Sequence, residues 1–102
     1  MEKFPKFIIE NGCLIISKVT YHKQLVTNVA DVKGGGWFSL DFENNSFTFF
    51  GKSEDFGKAK LEDIQECIKN NKVYTNRSCS RSIADKYKFF YKNEYGVITP
   101  LN

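Results

Sequence analysis

Two carboxylates, Asp41 and Glu43, stand two residues apart in "SLDFENN", and a single histidine, His22, stands in "TYHKQ". Alternate side chains of a strand project from one face about 7 Å apart, a spacing that suits an acid and a base in a cleft. Catalysis asks for more: a nucleophile, a base within hydrogen-bond reach, and a third group that orients the base. No such set is visible, so an enzyme built on Asp41, Glu43 and His22 is the least favoured reading. His22 reads as a surface or structural residue, and the two acids as the solvent face of a hairpin. No His/Cys spacing supplies a metal set, and no cofactor is implied. The cysteines, Cys13, Cys67 and Cys79, are odd in number and scattered, which argues against a disulfide framework. With no long apolar stretch in "MEKFPKFIIENG" to act as a secretory signal, reduced thiols and a cytoplasmic location are expected. No apolar run reaches the roughly 18 residues that cross a bilayer, so no membrane partner is expected.

Glycine and tryptophan form the next candidate. In "VKGGGWFSLDF", Gly34, Gly35 and Gly36 run into the only tryptophan, Trp37. A phosphate-binding glycine loop works because a helix N-terminus stands behind it. Here a strand pattern follows, and no Gly-Lys-Ser/Thr closes the motif. The glycines are expected to free the backbone just before a half-buried hairpin. A binding loop formed by Gly34, Gly35, Gly36 and Trp37 is the alternative. "DFG", Asp55 to Gly57, occurs without the other kinase elements, and Ser53, Glu54 and Asp55 read as a turn before a helix.

Charge is distributed unevenly. Residues 69–92 hold Lys69, Lys72, Arg77, Arg81, Lys86, Lys88 and Lys92 against Asp85 alone, a net +6. The rest of the chain holds eight lysines and eleven acids, a net −3, which returns the formal +3 of the whole. Tyr74, Tyr87 and Tyr91 interleave with the basic residues. Cations with rings between them suit a nucleic-acid backbone and its bases. Lys72, Arg77, Arg81, Lys86, Lys88 and Lys92 are therefore the candidate contacts with nucleic acid or another polyanion. An acidic protein partner, or a homodimer formed through a Trp37/Phe50 aromatic surface, is the alternative.

The elements that must position these residues follow from periodicity. A chain of 102 residues, 41% hydrophobic and 26% charged, is an ordinary single globular domain. Ten phenylalanines point to a core of rings. In "FPKFIIENGCLIISKV" two apolar runs flank Asn11-Gly12, a type I′ hairpin signal that pairs Glu10 with Cys13 and Phe7 with Ile16. Both faces of that hairpin are apolar, so it belongs at the centre, covered on both sides at least in part. In "WFSLDFENNSFTFFG", a loop at Asn44-Asn45 pairs Phe42 with Phe47 and Leu40 with Phe49. Leu61, Ile64, Cys67 and Ile68 share one stripe of a helix over 59–71. Tyr87, Phe89 and Tyr91 share one strand face, and Lys86, Lys88, Phe90 and Lys92 the other. A short last strand over 95–99 ends at Pro100. The fold class is α+β: an antiparallel sheet of about five or six strands, two hairpins plus a C-terminal pair, packed by one helix. An OB-like barrel is the runner-up.

Overall fold

A computed structural model describes residues 5–17, 26–75 and 81–102. His22, Arg77 and Cys79 lie outside the described residues. Strands β1 (Lys6–Glu10) and β2 (Cys13–Ser17) form the expected hairpin. Asn11 and Gly12 both take positive φ, 52° and 76°, which closes the two-residue loop. The register is the one that loop dictates, Phe7 opposite Ile16 and Glu10 opposite Cys13. Both faces are covered. Phe7, Ile9, Leu14 and Ile16 enter the main core, while Ile8 and Ile15 pack on the other side with Cys13 and Val26.

The second hairpin joins β3 (Val32–Asp41) to β4 (Ser46–Phe50) and corrects the expected register. Leu40 faces Phe47 and Phe38 faces Phe49, so the pairing is displaced by two residues and the loop lengthens to residues 42–45. Asp41 is the reason. Its Oδ1 accepts from the Glu43 and Asn44 amides, and its Oδ2 from the Asn44 side chain, which holds a wider turn. Asn45 completes the reversal at a φ of 49°. Because the slip is two residues and not one, every side chain keeps its face. Phe42 and Glu43 leave the strand for the loop, where Phe42 ends 80% exposed.

Helix α1 (Leu61–Lys69) is shorter than expected and buries Ile64, Cys67 and Ile68. Strands β5 (Val73–Tyr74), β6 (Lys88–Lys92) and β7 (Ile98–Pro100) complete one sheet, in the order β5-β2-β1-β3-β4-β6-β7. The α+β class holds, but among the described residues the sheet has seven strands and is not purely antiparallel. The β2·β5 and β4·β6 pairs are parallel. Parallel neighbours need a long crossover, here the connection that carries α1. Hydrophobic alternation marks strands but is silent on their direction. The sheet curls as a half-barrel with β5 and β7 left as edges; it does not close as an OB-like barrel would.

The curl encloses the core against α1. Phe47, Phe49 and Phe89, on neighbouring strands, stack nearly parallel, with Phe47–Phe89 centroids 5.6 Å apart and Phe49–Phe89 6.0 Å apart. Phe7 meets Phe49 edge-on at 4.9 Å. Residues 81–87 run from the β5 side, where the Ile83 amide donates to the Val73 carbonyl, to the start of β6. Ala84 is buried on the way, and the Tyr87 ring meets Phe47 at 4.9 Å.

The three glycines lie inside β3, not ahead of it. The chain after β4 crosses here: the Gly35 amide donates to the Gly57 carbonyl, and Gly35 bridges Lys58. A Cβ at Gly34 would sit 2.8 Å from the Ala59 nitrogen, and one at Gly36 2.7 Å from the Phe50 carbonyl oxygen. The stretch is bare because backbone passes against backbone.

Candidate functional site

Every second residue of β1, β3, β4 and β6 points away from the core, and register aligns these residues into rows. Lys6 pairs with Trp37, and Trp37 with Phe50. Because Phe49 pairs with Tyr91, Phe50 stands beside Lys92, which pairs in turn with Ile98. The row therefore reads Lys6–Trp37–Phe50–Lys92–Ile98. Its members touch. The Lys6 ammonium lies 5.7 Å from the Trp37 ring centre, Trp37 and Phe50 meet edge-on at 6.1 Å, and the Lys92 ammonium lies 5.4 Å from the Phe50 ring centre. Such cation–ring contacts are worth about 0.5–1 kcal/mol at exposed sites. They also lay the lysines along the sheet. Gly51 turns the chain at a φ of 72°, beside the Trp37 indole. The next row holds Ser39, Thr48, Phe90 and Pro100, and the third holds Asp41, Ser46 and Lys88.

The outer side of β6 thus carries Lys88, Phe90 and Lys92 in alternation, the two lysines exposed and the ring half-buried. Two carboxylates share this face of the sheet, and both are engaged elsewhere. Asp41 is held by its loop, and the Asn44 side-chain hydrogen bond, foremost among those contacts, keeps its pKa below the ordinary carboxylate value. Glu10 Oε1 accepts from the Thr27 amide at 2.7 Å. The face offers two exposed ammonium groups, Lys88 and Lys92, and half-buried rings, while Lys6 is buried against Trp37.

The fold divides the residues that the sequence groups together. Lys88 and Lys92 lie on the outer face, and Lys86 is exposed just ahead of β6. Lys72 precedes β5, and Arg81 precedes Ser82, whose hydroxyl accepts from the Val73 amide; both stand at the opposite edge of the sheet. Five strand spacings, about 24 Å along the sheet, separate β5 from β6. Tyr87 and Tyr91 turn inward to the core, and the rings on the outer face are Trp37, Phe50 and Phe90 instead, with the Lys6 and Lys92 ammoniums over the first two. Trp37 is half-buried, while Gly34, Gly35 and Gly36 are buried within β3 and form no open loop. Lys6 and Phe90 are the members that sequence reasoning did not propose. The alternation Lys88–Phe90–Lys92 was visible, but Lys6 joins only once β1 is known to flank β3.

Asp41 closes β3 and Glu43 lies in the following loop, so the pair does not share a strand face as expected. Among the described residues no cluster of three or more His, Cys, Asp or Glu side chains could hold a metal ion. A depression of about 180 Å³ lies between the Gly12 turn and α1, lined by Lys33, Asp63, Glu66, Cys67, Asn70 and Lys72. Its thiol is not an activated nucleophile: burial, followed by the nearby Cys13, Asp63 and Glu66, pushes Cys67 up to about 12, and its Sγ contacts the Gly12 carbonyl at 3.3 Å. No helix among the described residues is long and apolar enough to cross a membrane. Comparison with protein-family models, curated proteins and solved structures finds no match to this chain, so its physical reading rests on the geometry of this face.

Proposed function

We propose that the protein is a non-enzymatic binding module that takes a polyanion, nucleic acid above all, on the outer face of β3, β4 and β6. The observation that carries this reading is the in-register row Lys6–Trp37–Phe50–Lys92, with an ammonium over each of two rings. Lysines laid along a sheet meet phosphates without a large reorganisation, and Lys88 stands in the same row as the ionised Asp41, which its loop holds. Of the basic segment, Lys86, Lys88 and Lys92 are assigned to this contact, and Lys72 and Arg81 are not. The reduced state expected of Cys13 and Cys67 suits a cytoplasmic module.

The test is heparin and oligonucleotide binding by wild type and by the double variant Lys88→Glu/Lys92→Glu across a salt series. Wild-type affinity should fall steeply with salt, and removal of the two lysines should lower the slope of log K against log salt by about one per contact. Equal binding by the variant, or salt-independent binding by wild type, would sink the proposal.

A second reading is a protein partner or a second copy of the chain. It draws on Tyr95, Val97 and Ile98, which are exposed at the β6–β7 corner beside Lys92. It requires a mass above 11.8 kDa in light scattering, lowered by Trp37→Ala.

A further inference from the structure

Building on the polyanion-binding reading, we infer that the preferred partner of this face is single-stranded nucleic acid, bound with a base stacked on Phe90 between two phosphates held by Lys88 and Lys92. Along β6 the outer side chains read cation, ring, cation, each step about 7 Å. Lys88 and Lys92 stand about 14 Å apart, so the phosphates they hold flank an extended stretch of more than one nucleotide, one base of which lies on Phe90. In a duplex the base faces are buried in the stack, and the rings of the sheet would have nothing to meet.

Width decides the same way. From β1 to β6 the row Lys6–Trp37–Phe50–Lys92 crosses three strand spacings, about 14 Å. A major groove is about 12 Å wide and takes a helix or a two-stranded ribbon. A four-strand face is too broad to enter it and would touch a duplex only at its phosphates. The other outer side chains of β3 and β4, Ser39, Thr48, Asp41 and the buried Ser46, are short. They reach few base edges, so binding depends on stacking and charge, with weak sequence preference.

Trp37 is the only tryptophan, and its fluorescence reports on the face directly. The probes are oligothymidylate and oligouridylate of about 12 nucleotides, within the range that small single-strand sites cover, and a DNA duplex of equal length. Single strands are expected to bind at least about tenfold more tightly than the duplex. Phe90→Ala, and Phe90→Leu as the variant that keeps apolar bulk, should each weaken single-strand binding by about tenfold while preserving its salt slope. Circular dichroism checks that both remain folded. Duplex binding equal to or tighter than single-strand binding overturns the inference. So does wild-type affinity in Phe90→Leu. If in either case Lys88→Glu/Lys92→Glu still weakens every polymer, the polyanion reading survives alone. Absence of salt-dependent binding to any polymer removes both.

Discussion

Gly34 and Gly36 show how far a single hydrogen atom can matter. Gly34 sits at a φ of 113°, and its added Cβ would meet backbone of Lys58 and Ala59 at 2.8 Å. Gly36 has no φ in the left-handed region, but its Cβ would meet the Phe50 carbonyl and the Phe7 ring at 2.7 and 2.9 Å. In both cases a close neighbour is backbone, which cannot rotate away. Gly57 provides the contrast, with a φ of 78° and no heavy atom within 4 Å. Gly34→Ala is therefore expected to destabilise by about 2–5 kcal/mol, strain and clash together, and Gly36→Ala by up to about 3 kcal/mol from the clash. Gly57→Ala should lose only the roughly 1–2 kcal/mol of a left-handed alanine. Urea denaturation of the three variants measures the difference; a Gly36→Ala protein as stable as Gly57→Ala would show that the strand and the crossing chain can part.

Elements were legible in proportion to how local their signals are. The first hairpin was readable to the residue because Asn11-Gly12 sets turn and register together. The second was readable in its faces but not its register, because Asp41 draws Asn44 into a turn that alternation does not encode. Helix α1 shows its apolar stripe in the sequence, yet it begins without a side-chain cap. Lys60 occupies the N-cap position with extended backbone and places a cation at the positive end of the helix. Lys60→Ser should stabilise the protein by about 0.5–1 kcal/mol, seen as a rise of a few degrees in Tm. An unchanged or lower Tm would mean that Lys60 makes a contact worth more than a cap. Both edge strands are protected against continuation. The Val73 amide and carbonyl of β5 are taken by the Ser82 hydroxyl and the Ile83 amide, and β7 ends in Pro100, which has no N–H to offer.

The whole molecule decides which charges act together. In sequence, Lys72, Arg81, Lys88 and Lys92 fall in one basic run; in the sheet, the first two stand by β5 and the last two on β6, with four strands between. Exposed charges more than a Debye length apart, about 8–10 Å at ordinary ionic strength, act nearly independently. Lys72→Glu/Arg81→Glu is therefore expected to change polyanion affinity by less than about threefold at physiological salt. The same net charge change at Lys88 and Lys92 should weaken it far more. Titration of both double variants against one oligonucleotide checks this. Equal losses would mean that net charge governs binding and position on the sheet does not.

By itself the sequence determined the α+β class, the first hairpin, the helix stripe, and the two faces of β4 and β6, because each depends on residues a few positions apart. Only the tertiary structure decided that β1 flanks β3 and that β6 runs parallel to β4. Those neighbours bring Lys6, Trp37, Phe50 and Lys92 into one row. Strand order depends on which faces can be buried together around α1 and on the path of the connecting chain, quantities that belong to no short window of residues. The glycine stretch carries the same lesson. Its composition announced that the backbone there is special, but only the crossing of residues 57–59 over β3 supplied the reason.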